Sequence, residues 1–432
     1  MLFPCYYHDP WQKDFKLNVK LTMRILHTAD WHLGKKLDQH DRTQDHQLFL
    51  DWLLTTINSQ RIDALIIAGD IFDTGNPANE TMRMYYNFLV QLRQTCCRQA
   101  VIIGGNHDSS STLNAPRELL RALQVHVVGG VPENTEEQII PLTNKAGEVA
   151  AVVAAVPFLR DRDVRLSVAG ESAMEREQRI RDGIANHYSN LLPLLEDYRA
   201  KNIPLIATGH LFAQGAAASD SEKEIHVGSL GQIPAAAFPA AYSYVALGHL
   251  HRPQIVGGLP HIRYSGSPIP LSFSEANDAK QVMILDAEPG HSISVEALPI
   301  PVFRKLIRIN GDPEKAKQQV IQLSIDLAAN ELPAWVEVQV HTNSLLTQLQ
   351  DELLELLQNK PGFGQLFLRQ LRLREATGIQ ESEPNYHQLI DMSPQYVFGL
   401  RLESLGEEAD IETLQATFSE ALQLMEEREG SL

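Results

Sequence analysis

RILHTAD at Arg24–Asp30, ALIIAGD at Ala64–Asp70 and VIIGGNHD at Val101–Asp108 share one pattern: a short apolar, β-branched run that stops in a polar turn. Two later stretches repeat it, LIATGH at Leu205–His210 and YVALGHLH at Tyr244–His251. Runs of this length and character read as strands. Amphipathic segments with helical spacing, Gln47–Ile57 and Thr81–Gln94, lie between the first pairs. Strands alternating with helices predict an α/β fold with much parallel sheet. Ligands of such sheets gather beyond the carboxyl ends of the strands, and every polar turn quoted above falls there.

Alone, a Gly-Asp or a Gly-His is more often a turn than a ligand. Five in this order supply Asp30, His32, Asp70, Asn106, His210, His249 and His251 as donors for metal. A mixed set of carboxylate, amide and imidazole suits divalent manganese, iron or zinc better than calcium. Two dications about 4 Å apart repel by about 16 kcal/mol at an effective dielectric of 20. A shared anion must therefore lie between them, and a carboxylate bridges where a neutral imidazole cannot. Asp30, Asp70 and a bridging hydroxide reduce four positive charges to about one, which still attracts a phosphodiester and acidifies bound water. His107, next to Asn106, is expected to face the scissile phosphate as general acid or electrostatic clamp, with Asp108 orienting its ring. His27, His40, His46 and His126 fall outside the pattern and read as ordinary. Arg252 and the loop Tyr264–Pro268 read either as phosphate contacts or as plain structure.

A chain of 432 residues has room for roughly two to three domains. It contains no P-loop, no nucleophile elbow and no paired C-x-x-C motif. It also has no apolar run long enough to cross a membrane. Cys5, Cys96 and Cys97 are its only cysteines, which excludes a disulfide framework and fits a reducing cytoplasm. The formal charge of −17 runs against the basic footprint of a nucleic-acid binder. Nine acidic residues and one basic residue follow Arg401, however, so that tail alone carries −8.

Residues 1–22 precede the pattern and read as an N-terminal extension, either a start assigned too early, since Met23 stands where the fold should begin, or a real arm. Residues 23–300 form the large domain, and Asp278–Pro301 looks like the exit from it. A smaller unit follows at 301–374: strands at Lys305–Ile309, Ala334–His341 and Gln365–Leu373, with helices at Pro313–Ala329 and Leu345–Asn359. Residues 375–391 read as a linker. Residues 392–432 read as two amphipathic helices, which form either a docked hairpin or a partner-binding module.

The ordered set D-x-H, GD, GNHD, GH and GHxH is similar to the calcineurin-like metallophosphoesterase superfamily. ILHTADWHLGKKL, IIAGDIFDTGNP, GGNHDS, ATGHLF, VALGHLHRPQ and RYSGSPIPLSF together resemble the SbcD family of bacterial nuclease subunits, and so does MSPQYVFGLRLESL near the C-terminus. The resemblance implies a metallophosphoesterase β-sandwich flanked by helices, a small α+β capping domain and a C-terminal helix-loop-helix. It implies one metal on Asp30, His32, Asp70 and His251, a second on Asp70, Asn106, His210 and His249, and His107 as the catalytic histidine. Two manganese ions are implied, with DNA as substrate, 3′–5′ exonuclease action on duplex ends and endonuclease action at hairpins or blocked ends. The helix-loop-helix would bind an SbcC-type coiled-coil ATPase, in a heterotetramer where the nuclease subunit dimerises. A generic phosphatase or cyclic-nucleotide phosphodiesterase would use the same site, but has no need of the ~130 residues after Pro301. A scaffold that had lost catalysis would have lost ligands.

Overall fold

The computed structural model describes residues 22–165, 172–213, 233–327, 331–342 and 347–371. Residues 1–21 of the expected extension, the linker at 375–391 and the helix-loop-helix at 392–432 lie outside them. In chain order the first strands are β1 (Met23–Thr28), β2 (Lys36–Leu37), β3 (His40–Asp41), β4 (Ala64–Ala68), β5 (Gln99–Ile103) and β6 (Val125–Val128). Next come β7 (Ile139–Thr143), β8 (Val149–Ala154), β9 (Leu205–His210), β10 (Tyr244–Gly248), β11 (Gln254–Val256) and β12 (Leu259–Tyr264). β13 (Gln281–Ala287), β14 (Ser294–Pro299), β15 (Arg304–Gly311), β16 (Leu332–His341) and β17 (Phe363–Leu371) complete the series.

Two six-stranded sheets, ordered β14-β13-β1-β4-β5-β6 and β11-β12-β10-β9-β8-β7, stack into a sandwich. Side-chain alternation decides what each strand touches. Along β4, Leu65 and Ile67 pack outward with Phe49, Leu53, Phe88 and Leu89 of helices Thr43–Ser59 and Asn79–Leu92. Ala64, Ile66 and Ala68 of the same strand pack inward with Val153, Ile206, Tyr244 and Ala246 of the second sheet. That sheet's outer face, with Ala207, Val245 and Leu247, lies under Ile184, Tyr188 and Leu195 of helices Ala173–Asn190 and Leu192–Ala200. Burial on both faces is why these runs are continuously apolar. Each fully buried Leu, Ile or Val contributes about 1.5–3 kcal/mol.

Asp278–Pro301, expected as the way out of the large domain, carries two strands of its first sheet. β13 lies antiparallel beside β1, pairing Met23 with Ala287, and β14 pairs with β13 at the sheet edge. The partner of β13 lies more than 250 residues earlier, so local patterning could not reveal the pairing.

The smaller sheet, β15-β16-β17, is all parallel and its strands alternate with helices Pro313–Asp326 and Thr347–Leu357. Val336, Val338 and Val340 face those helices through Val320, Leu353 and Leu357. The opposite face presents Leu306, Trp335 and Phe367, which pack against Leu37 and Phe273 of the larger part. At the same junction, buried Arg42 and Arg304 converge on Asp45 at 2.8 and 3.1 Å. The Arg304 guanidinium lies 4.4 Å from the centre of the Trp335 ring, within range of a cation–π contact.

Candidate metal centre

The carboxyl ends of β1, β4, β5, β9 and β10 meet at one place, and all five expected turns are there. Three backbone bonds splice the first two turns together: Asp30 N to Gly69 O at 3.0 Å, His32 N to Asp70 O at 3.0 Å and Leu33 N to Ile71 O at 2.9 Å. The glycines before the donors are there for space. A Cβ on Gly105 would collide with the Asp70 carboxylate, and one on Gly248 with the Ala68 carbonyl. Asp30, His32, Asp70 and His249 all have positive φ, between 44° and 105°. L-residues enter that region at a cost of order 1–3 kcal/mol each, and such strain concentrates at functional sites.

Each aspartate is held by one oxygen. Asp30 Oδ1 accepts from His249 N at 2.8 Å and Asp70 Oδ1 from His107 N at 2.9 Å. Asp70 Oδ2 then lies 3.4 Å from His32 Nε2 and 3.2 Å from His210 Nε2, between the two rings. On one side of it cluster the His32, His107 and His251 rings, with His32 centred 4.8 Å from His107 and 5.1 Å from His251. On the other side Asn106 Oδ1 lies 2.9 Å from His210 Nε2 and 3.0 Å from His249 Nδ1.

These donors suit cations. Asp30 Oδ2, His32 Nε2 and His107 Nε2 are buried with no hydrogen-bond partner, an expensive state unless something binds them. Donor atoms of Asp30, Asp70 and His210 lie within 4.8 Å of one another, as do those of His32, Asp70 and His107. Burial lifts Asp30 to about 7 against the pull of His210 and His251. Burial would also raise Asp70, but the charge and hydrogen bond of His210 outweigh it and hold the carboxyl well below its usual range. His210, which burial would lower, is lifted to about 9 by Asp70 and Asp30. Protons thus sit where cations would replace them.

The calcineurin-like phosphoesterase family matches residues 23–253, and a second family, the type 5 capsule protein repressor C-terminal domain, matches residues 302–405. The SbcD component of the SbcCD nuclease of Escherichia coli K12 is 38% identical over 384 residues, covering 88% of this chain and 92% of that protein. The chain belongs to the SbcD family. The Bacillus subtilis SbcD is 34% identical over 349 residues, covering 79% of this chain and 84% of its own. That of Rhodobacter capsulatus is 38% identical over 290 residues, covering 65% and 70%.

Around the donors of this SbcD-family chain lie side chains whose roles differ from the sequence-based expectation or that it did not include. Asp108 does not orient His107. Its carboxylate accepts from Gly105 N (2.9 Å), Ile71 N (3.1 Å) and Phe72 N (3.0 Å), stapling the GNHD turn to the GD turn. His107 Nδ1 instead lies 2.8 Å from the Asp73 carbonyl oxygen, so an Nδ1–H donates there and Nε2 faces the site. Asp73 was not expected at all. Its carboxylate lies 3.3 Å from His32 Nδ1 and 3.1 Å from Lys35 Nζ. Nor was Glu275, whose Oε1 lies 3.1 Å from His251 Nδ1. The only signal in the sequence was spacing, Asp73 three residues after Asp70 and Glu275 soon after the SGSP loop.

The two residue groups left undecided by the sequence are engaged structurally. Arg252 pairs with Asp278 at 3.0 Å. Tyr264 donates to Leu211 O at 2.7 Å and accepts from Ala213 N at 2.8 Å. His27 is buried between the sheets 3.1 Å from the Tyr244 hydroxyl, and burial lowers it to about 3.

Proposed function

We propose that this chain is the nuclease subunit of an SbcCD-type complex and hydrolyses DNA phosphodiester bonds at the centre just described. Asp30, His32, Asp70 and His251 would hold one divalent ion, and Asp70, Asn106, His210 and His249 the second. The observation that carries this reading is the position of Asp70 Oδ2, between His32 and His210, with a separate donor cluster on each side. The donor set accepts manganese, iron or zinc alike, and the resemblance to the SbcD family makes manganese the expected metal among them. When bound, a pair of such ions supplies an acidified water and a clamp on the phosphate oxygens.

The chain's own residues do the rest. Asp30 and Asp70 set the charge of the site, and their backbone N–H bonds fix which oxygen points inward. His107, anchored through Nδ1 on the Asp73 carbonyl, presents Nε2 to the leaving sugar oxygen and protonates it. A second reading makes His107 a ligand, since its donor atom groups with those of His32 and Asp70.

Among the described residues no helix is long and apolar enough to cross a membrane, and three cysteines in 432 residues fit a cytoplasmic protein. The segment 392–432, expected from its sequence to be a helix-loop-helix, would bind an SbcC-type ATPase, in a heterotetramer where this subunit dimerises. That arrangement reconciles a chain of charge −17 with a DNA substrate, because the partner would supply much of the grip on the polyanion. The test is manganese-dependent cleavage of linear duplex DNA, with and without the ATPase and ATP, beside a small phosphodiester and a phosphomonoester. DNA cutting that rises with the partner is expected. Turnover of the small substrates alone, indifferent to the partner, would transfer the chain to the generic phosphoesterases.

A further inference from the structure

We infer that Glu275 is a positioning residue for His251, and that the small three-stranded sheet holds it in place through Phe273. The inference rests on the metal-centre reading above and extends it to residues outside the donor set.

A neutral imidazole carries one N–H and one lone pair, and only the lone pair binds a cation. Glu275 Oε1, 3.1 Å from His251 Nδ1, fixes the proton on that nitrogen and leaves the lone pair on Nε2. The other oxygen, Oε2, accepts from Lys280 Nζ at 2.7 Å, Leu271 N at 3.1 Å and Ser267 Oγ at 3.3 Å. Lys280 Nζ also donates to the His251 carbonyl at 3.1 Å and to Ser267 Oγ at 2.9 Å. Side chain and backbone of His251 are thus tied to one ion pair.

That pair is costly. Glu275 is 0% and Lys280 6% exposed, and an apolar pair of equal volume is often as stable as a buried ion pair or more so. Packing alone gives no reason for charge here, whereas orienting a donor ring does.

Glu275 ends the short turn Phe273–Glu275, and Phe273 begins it. The Phe273 ring leaves the larger part to pack with Phe367, centroids 5.2 Å apart, in the cluster of Leu37, Leu306 and Trp335. One three-residue turn therefore has its first side chain in the small sheet's apolar face and its last on His251. A shift of that sheet moves the carboxylate that aims the ring.

The experiment titrates the full-length chain with manganese alone, counting bound ions by calorimetry and electron paramagnetic resonance. Wild type should bind two. Glu275→Gln should weaken one ion about 10- to 100-fold and leave the other unchanged. Phe273→Leu leaves the ion pair untouched and should weaken the same ion about 2- to 10-fold. The ¹⁵N shifts of His251 in the metal-free protein should report an Nδ1–H tautomer in wild type and a mixture in Glu275→Gln, a change that lost packing alone would not produce. If Glu275→Gln holds both ions as tightly as wild type while His251→Ala has lost one, Glu275 is structural only and the inference falls. If His251→Ala also keeps both ions, the metal-centre reading fails first and takes the inference with it.

Discussion

Changing Asp108 to Asn separates two roles that its position in GNHD leaves open. Its carboxylate accepts three backbone N–H bonds from a position only 4% exposed. Oδ2 takes Ile71 and Gly105, and Oδ1 takes Phe72. An asparagine offers one oxygen. Its best placement keeps the first two bonds but weakens them, since a neutral acceptor gives up about 0.5–1 kcal/mol per bond relative to an ionised one. The amide NH2 then faces Phe72 N–H, stranding a buried donor at a cost of about 1–3 kcal/mol. The loss comes to about 2–5 kcal/mol, a large share of the 5–15 kcal/mol typical of a whole domain. The melting temperature should fall on the order of 10 °C. Because the staple joins Ile71 to Gly105, neighbours of Asp70 and Asn106, manganese affinity should drop as well. Calorimetric melting with and without manganese, followed by the pH profile of turnover, reads both effects. An unchanged melting temperature with a displaced pH profile would refute this reasoning and return Asp108 to the His107 ring.

His107→Ala should keep both ions yet lower turnover about 10²- to 10⁴-fold; manganese affinity falling in step with activity would move His107 into the ligand set. Asp70→Asn removes the shared carboxylate, so the magnetic coupling between two manganese ions should vanish from the paramagnetic resonance spectrum; a surviving coupled pair would deny Asp70 its bridge. Manganese uptake should release protons, because His210, lifted to about 9 by Asp70 and Asp30, and Asp30, raised to about 7 by burial, hold protons that a cation would displace. Affinity should therefore fall as pH drops through that window, and titration in buffers of different ionisation enthalpy that detects no released proton would contradict it.

The candidate donors were legible as residues that meet at the strand ends because their pattern is local. Each sits in a turn at the carboxyl end of a strand, and Asp70, Asn106, His210 and His249 directly follow a glycine; at Gly105 and Gly248 the missing Cβ makes room for a neighbouring carboxylate or carbonyl. Continuous apolar, β-branched runs exposed the buried strands for the same reason. What failed to show was whatever depends on a partner far along the chain. Glu275 reaches His251 across 24 residues, and no spacing rule connects them. Asp108 follows His107 directly, yet the turn points one side chain at backbone and the other at the site, a choice made by three-dimensional geometry. Asp73 was hidden in a turn already credited with a ligand.

The pairing of β1 with β13 also bears on how the molecule is made. β1 is the first of the described strands to leave the ribosome, but the strand that covers one of its edges ends at Ala287. Until then the nascent chain carries an apolar strand with one row of backbone N–H and C=O groups open, a template for pairing with other chains. Contacts this distant in sequence form slowly, and synthesis at about 5–20 residues per second keeps that edge waiting for tens of seconds. His210, His249 and His251 also emerge long after Asp30, Asp70 and Asn106. A translation product that stops short of Gln281 would therefore be an aggregation seed with the β1 edge left open, and a cell making this chain has reason to shield its first sheet until β13 arrives.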